Sequence, residues 1–202
     1  IGFSGRAMPG DDKKGGKYVN TSDTPVFKKS ENLFGMNFAK NHCSEQLILV
    51  EGNLDVISLH QAGFCNVVAP LGTAFTNEQA GLISRYTKEI VLMLDADAAG
   101  QKAIKRASSI LENSGLSVKV VVIPDGKDPD EYIRKNGADR FRGLLNGAVS
   151  DIEYKLLTAA NGISLESDDG KIKYLGVAAE IIAETDDVMI RDIYIGRLSE
   201  KY

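Results

Sequence analysis

The chain contains 202 residues, 43% of them hydrophobic and 26% charged, and its net charge at pH 7 is −4. This composition is typical of a globular protein, while the acidic balance argues against non-specific binding of nucleic acid by the surface as a whole. No apolar run approaches the roughly 20 residues that span a bilayer, and two cysteines are too few for a disulfide framework or a four-thiolate zinc site. We therefore expect a cytoplasmic protein that contacts no membrane and holds no zinc in this segment.

The charge is distributed unevenly along the chain. Residues 1–40 contain seven Lys or Arg and four Asp or Glu, whereas residues 41–202 contain seventeen and twenty-four. A basic N-terminal segment next to an otherwise acidic chain is suited to an enzyme that binds phosphates and metal ions. The alternative is that both are solvated surface charge. Because the chain opens on Ile1 in a Gly-rich polar stretch, we expect a fragment without a signal peptide.

The first segment, residues 1–40, is punctuated by glycines. Short extended pieces are predicted at residues 1–3 and 17–19, a turn at residues 22–25, and a short helix at residues 33–40. This segment is too small to bury a core alone, so we expect it to lean on the residues that follow.

Residues 46–123 alternate between strand and helix patterns. Strands are predicted at residues 46–51, 66–70, 89–94 and 117–123, and helices at 53–62, 76–86 and from about 98 to Gly115. Thr76 and Gln79 have the spacing of a capping box. This alternation predicts a parallel sheet with helices on both faces. The chain is helical again from Asp130, and residues 151–202 read as three helices separated near 162–170 and 185–187.

Acidic residues follow three of the four predicted strands. Glu51, the pair Asp95 and Asp97, and the pair Asp128 and Asp130 each come after a strand, and parallel strands place their carboxyl ends on one edge of the sheet. Gathered carboxylates repel one another unless cations intervene. Mg²⁺ prefers such oxygen ligands, and two ions could stabilise the attacking and leaving oxygens of a phosphoryl transfer. The pattern therefore predicts metal-dependent phosphate chemistry, with Asp55 one helical turn beyond Glu51.

A structural interpretation of the same acids stays open. Asp95 and Asp97 could cap the helix that begins at Ala98. Asp128 is followed by Pro129, which suits a helix start. Asp55 could be a solvated helical residue.

Several motifs resemble one protein family. Glu51-Gly-Asn-Leu-Asp55 followed by Asp95-Ala-Asp97-Ala-Ala-Gly100 is similar to the Toprim fold of primases, topoisomerases and some nucleases. The surrounding segments resemble the catalytic core of bacterial DnaG-type primases, namely Gly2-Phe-Ser-Gly-Arg6, Lys17-Tyr-Val-Asn20, Thr24-Pro-Val-Phe27, Leu33-Phe-Gly35, Leu71-Gly-Thr73, Pro124-Asp-Gly-Lys-Asp-Pro-Asp130 and Arg191-Asp-Ile-Tyr-Ile-Gly-Arg-Leu198.

The resemblance implies an α/β fold with three parts. Residues 1–44 would end a basic N-terminal subdomain, residues 45–147 would form the Toprim domain with a mostly parallel sheet flanked by helices, and residues 148–202 would form a helical subdomain.

It also implies an RNA polymerase that starts primers de novo from ribonucleoside triphosphates on single-stranded DNA at the replication fork. Two or more Mg²⁺ or Mn²⁺ ions would be its cofactors. A replicative helicase would bind through a C-terminal domain that we expect to be absent from this chain.

The resemblance assigns roles to particular residues. Glu51, Asp55, Asp95 and Asp97 would be catalytic, and the metal ligands would be Glu51, Asp95, Asp97, Asp128 and Asp130. Template and nucleotide would be guided by Arg6, Lys17, Asn20 and Lys29.

Two other functions remain open. A Toprim nuclease or repair enzyme would use the same metals with water as the nucleophile, and a non-catalytic nucleic-acid-binding module would use its carboxylates only as caps.

Overall fold

The protein is described here by a computed structural model that covers residues 2–6, 18–94, 98–124 and 128–202. The chain divides into two compact units, Ile1–Ala148 and Val149–Tyr202. The division into three segments made from the sequence remains a prediction.

The first unit begins with a small antiparallel ladder. Strands β1 (Ser4–Arg6) and β2 (Tyr18–Asn20) pair in the register Ser4 to Asn20 and Arg6 to Tyr18. Both strands extend to later residues than predicted, and Phe3 closes the end of the ladder through backbone and side-chain hydrogen bonds with Thr21. A 3-10 helix at Lys29–Glu31 and helix α1 (Met36–Ala39) follow.

The centre of the first unit is a parallel sheet. Strands β3 (Leu47–Leu49), β4 (Val67–Val68), β5 (Glu89–Leu92) and β6 (Ser117–Val120) lie in the order β4-β3-β5-β6, and every pair of neighbours is parallel. The strands are shorter than predicted. Val50, Met93 and Ile123 are fully or nearly fully buried but lie beyond the residues that pair in the sheet. The apolar runs in the sequence therefore indicated which residues are buried, and burial extends beyond the paired residues of each strand.

Four helices accompany this sheet, in agreement with the predicted architecture. They are α2 (Asn53–Gln61), α3 (Asn77–Ile83), α4 (Ala98–Asn113) and α5 (Pro129–Asn146). Side chains of α2 and α5 join one face of the sheet in a single apolar core, which contains Ile48, Val91, Val56, Leu59, Ile133 and Phe141. Helix α4 contacts β6 and α3. Gly115 ends α4 with a φ of 74°, as its predicted C-terminal position requires.

Helix α5 consists of two helical stretches, because Gly137 interrupts it with a φ of 79° and a ψ of 171°. A residue with a side chain would be strained in that conformation. The interruption was not predicted from the sequence.

The second unit is almost entirely helical. After the short strand β7 (Val149–Ser150) it contains α6 (Asp151–Ala159), α7 (Asp168–Ala183) and α8 (Val188–Lys201), which confirms the three predicted helices. Its core gathers Leu156, Tyr174, Ala178 and Ile182. Across the described residues of both units, no helix combines the length and the apolar character needed to cross a bilayer.

Candidate active site

The parallel register determines where the first acidic residue lies. Leu49 is paired with Val68 on one side and with Leu92 on the other, so these three strands end at the same level. Glu51 follows Leu49 by two residues and is exposed at this edge. The chain then turns at Gly52 into helix α2. Glu51 therefore lies at the carboxyl edge of the sheet, as predicted.

A cleft of about 320 Å³ opens at this edge. Three groups of residues line it: Glu51, Gly52, Asn53, Leu54 and Asp55 after β3; Pro70, Gly72, Asp128 and Asp130 from the loops after β4 and the start of α5; and Ser4, Tyr18 and Asn20 from the N-terminal ladder. The structure thus brings four of the predicted acids to one cleft. It also places the predicted nucleotide-binding residue Asn20 there.

Asp55 is buried at the cleft, with 9% of its surface exposed. It occupies the third position of α2, and its Oδ2 accepts a hydrogen bond of 3.0 Å from the backbone N–H of Gly52. The interpretation of Asp55 as a solvated residue is therefore wrong. Its carboxylate holds the turn that leads away from Glu51.

Asp128 has the capping role that its sequence context suggests. It is the N-cap of α5, Pro129 follows at the first helical position, and its Oδ1 accepts a hydrogen bond of 2.7 Å from the N–H of Glu131. The residue is exposed and lines the cleft. Because this cap engages one carboxylate oxygen, it does not by itself prevent Asp128 from binding a metal ion.

Asp130 makes two side-chain contacts across helices α2 and α5. Its Oδ1 accepts a hydrogen bond from the Ser58 hydroxyl, and its Oδ2 accepts one from the Arg134 guanidinium, with which it also forms an ion pair. Burial raises the pKa of Asp130, but the hydrogen bonds from Arg134 and Ser58 outweigh that effect, so its pKa lies below the usual value.

Asp95 and Asp97 lie outside the described residues. The chain leading to them is described as far as Leu94, which is buried, and the N–H of Met93 donates to the carbonyl of Leu49 at 2.9 Å. Strand β5 ends beside β3, which is consistent with Asp95 and Asp97 lying near Glu51. Their position there stays a prediction. Among the residues that the structure does describe, no group of three or more His, Cys, Asp or Glu side chains is arranged to hold a metal ion.

The predicted nucleic-acid-binding residues that the structure describes do not all lie at the cleft. The side-chain nitrogen of Asn20 donates to the carbonyl of Leu71 at 3.3 Å, which holds Asn20 at the cleft. Lys29 instead lines a larger, mostly apolar cavity of about 960 Å³ beside it. Arg6 lies on β1, opposite Tyr18. Lys17 lies outside the described residues.

Gly72 shows why the loop after β4 needs a glycine. Its φ is 71°, and a Cβ built there would collide with the side-chain amide of Asn20. Any other residue would therefore be strained and would displace Asn20 from the cleft.

Two residues that position the site were missed from the sequence. Gln79 is fully buried, and its side chain donates to the carbonyls of Lys29 and Asn32 at 3.0 and 2.8 Å. It ties the N-terminal segment to α3, whose predicted capping box is confirmed. Tyr18 lines the cleft beside Asn20. Strand alternation places residues 18 and 20 on one face, so Tyr18 could have been found from the sequence.

Comparison with known proteins identifies the class to which this fold and site belong. Residues 48–133 match the family described as Toprim-like, and residues 1–40 match the N-terminal domain of the DNA primase catalytic core. Residues 152–202 match a family described as the DnaB-helicase binding domain of primase.

Relatives and solved structures agree with this class. A DNA primase of Clostridium acetobutylicum is 48% identical over 202 residues, which are 100% of this chain and 33% of that protein. The zinc-binding and RNA polymerase domains of the Aquifex aeolicus primase are 38% identical, with a TM-score of 0.77, and the match covers 100% of this chain and 48% of that one.

The RNA polymerase domain of Mycobacterium tuberculosis DnaG, in complex with a double-stranded DNA oligomer with a 6-nucleotide overhang, is 30% identical. Its TM-score is 0.84, with 98% of this chain and 65% of that chain covered. The chain belongs to the bacterial DnaG-type DNA primases. It spans about a third of the length of the curated relative from Clostridium acetobutylicum.

One expectation is corrected by these matches. We expected a helicase-binding domain to be absent from this chain, but residues 152–202 match the family that carries that description. Residues 191–198 resembled the catalytic core and did not indicate helicase binding, because helical segments of this kind occur in many folds with unrelated functions.

The Toprim primases are metal-dependent as a family, which supports a divalent metal ion as the cofactor. The donors fit such an ion, since Glu51 and Asp128 contribute hard carboxylate oxygens to the same cleft.

Proposed function

We propose that this chain is the catalytic part of a primase that synthesises short RNA primers de novo from ribonucleoside triphosphates on single-stranded DNA. The observation that carries the proposal is the cleft at the carboxyl edge of the sheet, where Glu51, Asp55, Asp128 and Asp130 face Asn20 of the N-terminal ladder. An acidic site beside a basic segment of the chain can hold metal ions together with the phosphates they neutralise.

The metal ions are proposed to be Mg²⁺ or Mn²⁺, two or more in number. The predicted ligands that would hold them through carboxylate oxygens are Glu51, Asp95, Asp97, Asp128 and Asp130. Bound there, the ions would stabilise charge on the attacking 3′-oxygen and on the leaving pyrophosphate. The contribution of the protein is to keep these oxygens together at the end of the sheet, where the parallel register aligns the strands that carry them.

The direct test is ribonucleotide incorporation by the purified chain on a single-stranded DNA template with and without divalent metal. We expect labelled RNA products that depend on Mg²⁺ or Mn²⁺ and disappear with a chelator. The alternative nuclease function predicts metal-dependent cleavage of the same DNA without incorporation. The absence of both incorporation and cleavage in the presence of divalent metal would contradict both enzymes and favour the non-catalytic module.

Template binding is proposed for the basic N-terminal segment, with Arg6, Lys17, Asn20 and Lys29 as its contacts. The support is the net positive charge of residues 1–40 and the position of Asn20 at the cleft. Phosphate contacts of this kind release counterions, so affinity falls as salt rises.

We expect Lys17→Ala to weaken binding of single-stranded DNA and to flatten its salt dependence. Removing one phosphate contact should change the slope of log affinity against log salt by about 0.7. Fluorescence anisotropy at four salt concentrations measures this slope. Lys135→Ala is the matched control, since Lys135 is exposed on α5 and lines no part of the cleft. An equal slope for wild type and Lys17→Ala would remove Lys17 from the template path.

A replicative helicase is the proposed protein partner, with the second unit as its binding region. The match of residues 152–202 supports this. Helix α8 also exposes large aliphatic side chains, among them Met189 at 75% and Ile193 at 51%, and exposed apolar groups of this kind often mark protein interfaces. The proposed place of action is the replication fork in the cytoplasm.

A further inference from the structure

Asp130 lies in the wall between two grooves of the first unit. On one side it lines the carboxylate cleft together with Glu51 and Asp128. On the other side it lines a groove between α2 and α5 together with Ser58 and Arg134. Of these two openings, Ser58 and Arg134 line only the second, so the partners of Asp130 approach it from the side away from the cleft.

Both carboxylate oxygens of Asp130 are engaged on that side. Ser58 donates to Oδ1 from helix α2, and Arg134 donates to Oδ2 from the next turn of α5. Both are charge-assisted hydrogen bonds, which are stronger than neutral ones. A metal ion at Asp130 would have to share these oxygens with Ser58 and Arg134, and the positive charge of Arg134 would repel it. Asp128 differs, because its Oδ1 accepts a hydrogen bond from a neutral backbone N–H, that of Glu131.

The contact with Ser58 joins two segments that each begin with an acidic residue of the cleft. Ser58 lies on the helix that follows Glu51, and Asp130 lies two residues after Asp128. The hydrogen bond spans 72 residues of sequence. It therefore couples the start of α2 to the start of α5, and through them the positions of Glu51 and Asp128.

We propose that Asp130 is a positioning residue and not a metal ligand, and that Ser58 and Arg134 are its partners in this role. Together they fasten the first turn of α5 to α2 and hold Asp128 opposite Glu51. This inference rests on the proposed function, and it narrows the metal ligands from the five predicted acids to Glu51, Asp95, Asp97 and Asp128. The side chain of Arg134 is 73% exposed, so its ion pair adds little stability and serves mainly to orient the carboxylate.

The first test measures binding of Mn²⁺ alone by electron paramagnetic resonance, without nucleotide. We expect Asp130→Asn to bind as many ions as wild type but about tenfold more weakly, at the lower end of the loss typical of residues that support a ligand. Asp128→Asn should bind more than about 100-fold more weakly, beyond that range. Lys135→Gln, an exposed neighbour of Arg134 that lines neither groove, is the control. If Asp130→Asn binds as weakly as Asp128→Asn, Asp130 is a ligand and the inference is overturned.

The second test separates positioning from simple stabilisation. Ribonucleotide incorporation is measured well below the melting temperature of every variant. At saturating metal concentration, we expect kcat of Asp130→Asn and Arg134→Gln to fall about tenfold. Arg134→Lys keeps the cation and should retain most of the wild-type kcat.

Unchanged kcat in Asp130→Asn below its melting temperature would overturn the positioning role, since a structural contact would lower only stability. A wild-type chain that binds no Mn²⁺ would instead contradict the proposed function itself. These two failures are therefore distinguishable.

Discussion

Asp95→Asn is expected to abolish ribonucleotide incorporation while the chain stays folded. Asp95 directly follows the buried residue Leu94, which lies two residues beyond the end of β5. Strand β5 is paired with the strand that leads to Glu51. An asparagine keeps the size of the side chain but removes the negative charge that a divalent ion requires. We expect the rate to fall more than about 100-fold, beyond the loss typical of residues that only support a ligand.

Incorporation on a single-stranded template and thermal unfolding together measure this prediction. The melting temperature should be unchanged or slightly raised, because one repulsive carboxylate is lost from an acidic cluster. Asp139→Asn is the matched control. The side chain of Asp139 is 98% exposed and pairs only at the surface with Arg142, so its replacement should leave the rate unchanged. Full incorporation by Asp95→Asn would contradict the assignment of the metal site.

Phe141→Ala is expected to have the largest effect on stability. The Phe141 ring is completely buried in the core between the sheet and helices α2 and α5, 4.7 Å from the ring of Phe64. Truncation removes the ring from that core and leaves a cavity, which typically costs about 3–5 kcal/mol. A loss of this size lowers the melting temperature of a chain of this length by roughly 10 °C.

Chemical denaturation monitored by circular dichroism gives the change in the free energy of unfolding. Phe38→Ala is the control, since the ring of Phe38 is 63% exposed and meets His60 only edge-on. It should cost less than about 1 kcal/mol. Equal losses for the two variants would show that Phe141 does not anchor the core. Because Phe141 lies in the second stretch of α5, its loss is also expected to loosen the helix that begins at Asp128.

The local elements of this protein follow from the sequence. The apolar runs predicted all four parallel strands, and the spacing of Thr76 and Gln79 predicted the capping box that the structure contains. Pro129 predicted the start of α5. Such features depend on residues within one or two turns of each other, so a single sequence reports them. The predicted ends of the strands were less accurate, because buried apolar residues continue beyond the last residues that pair in the sheet.

The sequence alone also determined which acids follow strands, and hence that Glu51 and Asp128 could share one edge. Only the tertiary structure decided what each carboxylate does there. The Asp55 carboxylate accepts a hydrogen bond from the N–H of Gly52. The Asp130 carboxylate accepts hydrogen bonds from Ser58, which is 72 residues away in the sequence, and from Arg134. Likewise the fully buried Gln79 reaches a carbonyl 50 residues away. Side chains choose partners by distance in space, and local patterns carry no information on contacts that packing alone brings together.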